Sequence, residues 1–270
     1  MARPVSVLAR VAAVSPVGGD VFEGAPNGPV GKRAYGGHLA AQSFAAACAS
    51  VPDDRNPTAV HVQFLRGGDA GEPVRYQVER THDGRSASSR RVLGRQGERH
   101  IVSATVLFAV PTTGPRHSDR ILGAPEEIPP TGPIGPAPSL PLDELDIRIA
   151  DDGAGEDFVR RMWWRVIAPL PDDPRLHSAV AVYVTDIYGV DPVLAVHGHS
   201  MTDRSHHCAT TETSIWFHRR VFADRWNLME SRSPAAASGR GIMIAALYGA
   251  DGQRAATIVQ EGQAVNREPD

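Results

Sequence analysis

Between residues 59 and 108 the chain alternates apolar and polar side chains in short runs. Residues 59–66 put Val60, Val62 and Phe64 on one side, and residues 74–80 do the same with Val74, Tyr76 and Val78. Runs at 86–93 and 100–108 follow, the second entered through a turn at Gln96-Gly97. A period of two with one apolar face predicts four strands of a half-buried sheet. Ahead of them lies GGHLAAQSFAAACASV at 36–51, which opens on two glycines and stops before Pro52. Alanine dominates it, with Leu39 and Phe44 as larger anchors, so it predicts a helix whose small side chains let a sheet approach closely.

The same order returns further on. Residues 175–190 carry Leu176, Ala179, Tyr183 and Ile187 at helical spacing. Strand-like runs follow at 212–220, 226–231, 239–248 and 255–260, the last two joined at Asp251-Gly252. SASSRRV at 86–92 is echoed by AAASGRGI at 235–242. Between the halves, residues 111–141 are rich in proline and glycine, as a linker or a long surface excursion without regular structure would be. One helix and four strands, present twice, predict an α+β protein in which antiparallel sheet wraps a long helix in each half, a double hot-dog. The expected units are 1–112 and 146–270, joined by a Pro-rich linker at 113–145. MARPVSVLARVAAVSP at the start has no clear cleavage site after it and predicts an amphipathic first strand rather than a targeting segment.

Composition narrows the function classes. With a net charge of −3, the chain has no global basic field to draw nucleic acid or an anionic membrane. No apolar run is long enough to span a bilayer, so neither membrane nor nucleic acid is an expected partner and the cytoplasm is the expected location. Cys48 and Cys208 form neither a disulfide framework nor a zinc motif.

Several residues could carry chemistry, each beside a plainer reading. Asp186 is either a functional carboxylate in an apolar stretch or a solvent carboxylate near the break at Gly189. Thr210 and Gln260 read individually as ordinary strand residues. Gly36 and Gly37 precede the first helix, where bare N–H groups can receive a carbonyl oxygen or an anion, or simply allow close packing. His61 either lines a site in the first half or is a satisfied strand histidine. His197, His199, His206 and His207, with Asp203 nearby, invite a metal set, yet no cysteine or fixed carboxylate completes one, and no metal is expected.

Six ordered motifs bear on this choice: YGGH at 35–38, HVQFLRGGD at 61–69, HDGRSASSRRV at 82–92, VTDIYGVDPVLAVHG at 184–198, TSIWFHRRVFADRW at 213–226 and TIVQEG at 257–262. In order and spacing, from about residue 22 to residue 266, they resemble the bacterial acyl-CoA thioesterase II family. The resemblance implies a double hot-dog hydrolase that splits acyl-CoA, or a carrier-bound acyl thioester, into free acid and thiol without a cofactor. It implies a catalytic trio of Asp186, Thr210 and Gln260, and a homodimer. Gly36, Gly37, His38 and His61, taken from the residues themselves, are the candidate substrate contacts. The chain departs from the family at His38, where glutamine is usual, at Gly67 and Arg220, where proline is, and at Glu212-Thr213, where Asp-His is. These departures leave two other readings: a hydratase or dehydratase built on an Asp/His dyad, and a non-catalytic acyl-thioester binding module.

Overall fold

The computed structural model describes residues 6–131 and 141–267. Its first element corrects the sequence reading. Val7–Val11 is a short helix, α1, and the strand β1 begins only at Val14 (Val14–Gly18). Local alternation lost to capping. The Ser6 hydroxyl accepts from the N–H of Ala9, and the Glu144 carboxylate accepts from the N–H groups of Val7 and Leu8 at 2.8 and 3.0 Å. Donors that a helix start leaves open are thus satisfied by two side chains, one of them 137 residues away from Val7.

Strand β2 (Val21–Gly24) leads to α2 (Gly36–Cys48), then to β3 (Asn56–Phe64), β4 (Val74–Asp83), β5 (Ala87–Gln96) and β6 (Arg99–Ala109). The second half repeats the series: β7 (Leu145–Ile149), β8 (Arg160–Val166), α3 (Pro174–Thr185), a short α4 (Asp191–Ala195), then β9 (His206–Phe217), β10 (Asn227–Ala237), β11 (Arg240–Tyr248) and β12 (Arg254–Asn266). Each half therefore opens with two strands; of these four only the first was expected from the sequence, and it begins later than expected. The echo between SASSRRV and AAASGRGI is not a topological match: the first leads into and along β5, while the second straddles the β10–β11 turn.

Among the described residues the twelve strands form one antiparallel sheet in the order β1-β2-β4-β5-β6-β3-β9-β12-β11-β10-β8-β7. Read outward from the β3–β9 seam, the two halves have equivalent orders. Helices α2 and α3 lie against the inner face and pack antiparallel on each other, with Arg175 at the start of α3 donating to the carbonyl of Cys48 at the end of α2. Their alanine- and valine-rich faces join the inner residues of both half-sheets in one continuous core, in which Phe44, Tyr183, Trp164 and Met229 are buried. The fold is thus the predicted double hot-dog.

The segment after β6 is not a free tether. Ile121 donates its N–H to the carbonyl of Gly252, Arg120 bridges to Gln253, and Thr131 donates to Ile147. Ile121 and Ile128 cover a second apolar cluster on the outer face of the C-terminal half-sheet, made of Trp163, Leu228, Ala246 and Tyr248. Residues 132–140, which belong to the predicted linker, lie outside the described residues.

Candidate active site

Because α2 and α3 run antiparallel, the amino-terminus of α2 meets the carboxyl-terminus of α3. Asp186 is the C-cap of α3 and stands at that junction. The N–H of Gly37 donates to its Oδ2 at 2.9 Å. On Oδ1 it accepts from the Thr210 hydroxyl at 2.8 Å and from Gln260 Nε2 at 2.6 Å, and the same Nε2 reaches Thr210 Oγ1 at 2.8 Å. Burial pushes the Asp186 carboxyl above the usual carboxylate range. The three hydrogen bonds, followed by the positive charge of Arg33, pull it partly back.

Close approach makes this possible. A Cβ on Gly37 would stand 2.3 Å from the Tyr183 carbonyl oxygen, so only glycine lets the two helices meet here. A Cβ on Gly189 would stand 2.6 Å from the Gln260 amide, so the turn after α3 must also be bare. Tyr35, the N-cap of α2, ties the helices together from the side: its hydroxyl donates to the Tyr183 carbonyl at 2.8 Å and its ring meets Tyr183 edge-on.

Thr210 reaches the site through an irregularity. Alternation counted back from Trp216 predicts that Thr210 shares a face with Glu212, Ser214 and Trp216, the outer face. In the structure β12 pairs Glu261 with Glu212 but Gly262 with Thr210, leaving Thr211 as an extra residue in a β-bulge. The bulge inverts the alternation and turns Thr210 inward, onto the face of buried Thr213 and Gln260. Thr211 points outward instead, and its hydroxyl donates to the Glu261 carboxylate at 2.8 Å.

Asp186 and Thr210 line a hollow of about 360 Å³ whose other walls include Gly36, Phe64, Arg33 and Arg66. Gln260 is 2% exposed and stands behind them. Two other hollows, around Phe222 and between Arg116 and Arg254, contain none of the trio.

The remaining candidates fall elsewhere. Gly36 lines the pocket, but the Gly37 N–H, expected to face substrate, is engaged by Asp186. His38 turns away into the core, where Nε2 meets the Ala25 carbonyl at 3.1 Å, and burial lowers its pKa to about 4. His61 lies on the outer face of the sheet against Ser214 and Trp216, because Val60, Val62 and Phe64 take the inner positions of β3. Among the described residues no three metal-type ligands converge; His199 and His206 stack edge-on, with Asp203 3.4 Å from His199. Arg33 was missed, since an exposed arginine in an irregular segment carries no periodic signal.

Comparison with known proteins identifies the family of the chain. The acyl-CoA thioesterase N-terminal domain matches residues 25–109, and the acyl-CoA thioesterase C-terminal domain matches residues 125–264. The chain is 28% identical to acyl-CoA thioesterase 2 of Haemophilus influenzae over 249 residues, covering 86% of this chain and 87% of that protein. It is 28% identical to human acyl-coenzyme A thioesterase 8, covering 95% of this chain and 88% of that one. The crystal structure of the acyl-CoA thioesterase II TesB2 from Mycobacterium marinum superposes with a TM-score of 0.83 at 28% identity, covering 97% of this chain and 99% of the other. The chain thus belongs to the acyl-CoA thioesterase II family and is a thioester hydrolase.

Proposed function

We propose that Asp186 is the general base of this hydrolase, with Thr210 beside it on the reacting water and Gln260 as the positioning residue behind both. The observation that carries the reading is the convergence of three donors, from α2, β9 and β12, on one carboxylate at the floor of a pocket. A carboxyl raised by burial is a better proton acceptor than one in water. Water in the pocket adds through oxygen to the thioester carbonyl carbon and gives its proton to Asp186. The resulting oxyanion collapses, the C–S bond breaks, and the proton returns from Asp186 to the leaving thiolate. Gln260 and Gly37 hold the carboxylate in one orientation through this cycle. The amino-terminal end of α2 points its positive dipole at the site, which favours the oxyanion.

The alternative dyad chemistry would need a histidine on Asp186. His38, the histidine that the sequence offered for it, meets the Ala25 carbonyl instead. Coenzyme A is the thiol carrier in this reading, and a homodimer is the assembly; Leu107 and Trp216, 37% and 38% exposed on either side of Ala59, support a self-association surface. Cytoplasmic residence goes with it, consistent with two free cysteines. Purified protein incubated with short, medium, long and aryl acyl-CoAs should release free thiol, with no loss in EDTA. No thiol release from any of them by folded protein would end the reading.

A further inference from the structure

One wall of the Asp186 pocket carries an unusual concentration of positive charge. Arg33 and Arg66 both line the hollow and are both exposed. The Arg33 side chain lies over Gly67, where a Cβ would stand 3.6 Å from its Nε. Arg99 arrives from the β5–β6 hairpin and donates to the Gly67 carbonyl at 3.3 Å. Arg33 and Arg99 therefore approach Gly67 from two sides, and Arg66 precedes it in the chain and lines the same pocket. Among the described residues none of the three makes an ion pair, unlike Arg80 with Asp20 or Arg161 with Glu230. The adjacent carboxylate, Asp69, is engaged by the backbone N–H groups of Gly31 and Gly71, both at 2.8 Å.

Like charges held together without a counter-ion repel one another, and folding alone gives no reason to collect them at a pocket rim. An anion arriving there would relieve that repulsion, and planar guanidinium groups match phosphate oxygens well. The floor of the same pocket is where the thioester must lie, so the anion must be at the far end of the substrate's thiol arm.

Building on the hydrolase reading above, we propose that Arg33, Arg66 and Arg99 form a phosphate-binding rim that holds the nucleotide end of a coenzyme A thioester. The acyl carbonyl then rests at Asp186 while the phosphates stay at the solvent edge. The rim makes the enzyme selective for CoA esters over thioesters whose thiol part has no phosphate.

The test uses one acyl group on two thiols, CoA and N-acetylcysteamine, with wild type, Arg66→Gln and the Arg33→Gln/Arg99→Gln pair. The ratio of kcat/KM on the CoA ester to that on the N-acetylcysteamine ester should fall about tenfold for each lost charge-assisted contact, mostly through KM, and Arg66→Lys should recover part of it. Added salt should lower the wild-type ratio and affect the variants less. Calorimetric binding of free CoA, compared with pantetheine, separates the rim from the chemistry. If thiol is never released but CoA binding weakens in the variants, the rim stands and the hydrolase reading falls. An unchanged ratio, or equal losses on both esters, would each overturn the rim.

Discussion

The antiparallel helix pair has two ends, related by the internal repeat, and they can be compared residue by residue. At one end the bare amino-terminus of α2 meets Asp186, the C-cap of α3. At the other the amino-terminus of α3 meets Ala49, the C-cap of α2. The strands beside them carry the same device. In β3 the extra residue of a bulge is Thr58, whose hydroxyl donates to the Leu107 carbonyl at 3.2 Å; the Thr211 hydroxyl likewise lies 3.1 Å from the Glu261 carbonyl. The residues that correspond to Asp186, Thr210 and Gln260 are thus Ala49, Pro57 and Val106, and none has a side-chain hydrogen-bonding group. Where α2 opens with two glycines, α3 opens with Pro174 and Arg175. The Arg175 guanidinium fills the junction and donates to the carbonyls of Cys48, Pro52 and Arg55. The backbone therefore builds two equivalent junctions, and side chains make one a pocket and plug the other.

The largest expected effects break that asymmetry at the open end. Asp186→Asn should cut turnover by more than about 100-fold, since it removes the charged member, and Thr210→Val by about 100-fold. The double variant should lose far less than the product of the two, as groups acting on one water do. Thr211→Val and its counterpart Thr58→Val should leave turnover within a few-fold of wild type by steady-state assay, since both hydroxyls face away from the pocket. Damage from Thr211→Val with a silent Thr210→Val would mean that the bulge places the wrong threonine inward.

The plugged end should matter to stability rather than rate. Arg175→Ala removes the side-chain donor shared by the carbonyls of Cys48, Pro52 and Arg55 and should cost about 2 kcal/mol in denaturant unfolding, with kcat little changed. Its exposed contact with Asp53 contributes little of that. A large fall in kcat would show that the two ends are coupled.

Two pH effects are separable. Turnover should fall on the acid side as Asp186 takes up a proton, at a pH above the ordinary carboxylate range because burial raises it; Arg33→Gln should move that limb higher still, since the Arg33 charge opposes the shift. His38 acts on stability instead. Its folded pKa of about 4 lies below the ordinary 6.5. The unfolded chain therefore binds a proton that the native state does not as pH falls from 6.5 toward 4. Stability contributed by neutral His38 is present above that window and lost through it, by about 3 kcal/mol in all. His38→Gln should flatten this part of a melting-temperature profile between pH 7 and pH 4.

Sequence pattern located both helices and the four strands after each, because each of these strands has one face on the core and alternation survives. It missed β8, RRMWWRV, for a physical reason: Trp164 faces the helices while Trp163 is covered by Ile121 and Ile128 from the crossing segment, so both faces are buried and the period of two disappears. Asp186, Thr210 and Gln260 were legible only as parts of motifs. Strict alternation would have sent Thr210 to solvent, since a bulge has no local signature in ATTETS. His61 shows the converse: its motif is conspicuous, yet the register of β3 directs it outward.

The crossing segment bears on how copies of the chain can stack. Two equivalent half-sheets would offer a neighbour two equivalent outer surfaces, and a dimer could form on either. Ile121 and Ile128 occupy one of them, over Trp163 and Leu228, while Leu107 on the other half and Trp216 at the seam stay exposed. The segment that joins the halves thereby covers one outer surface and leaves the other bare. A face-to-face neighbour would find apolar side chains open only on the N-terminal half and the seam, so a single chain acquires a front and a back that its doubled architecture would otherwise lack.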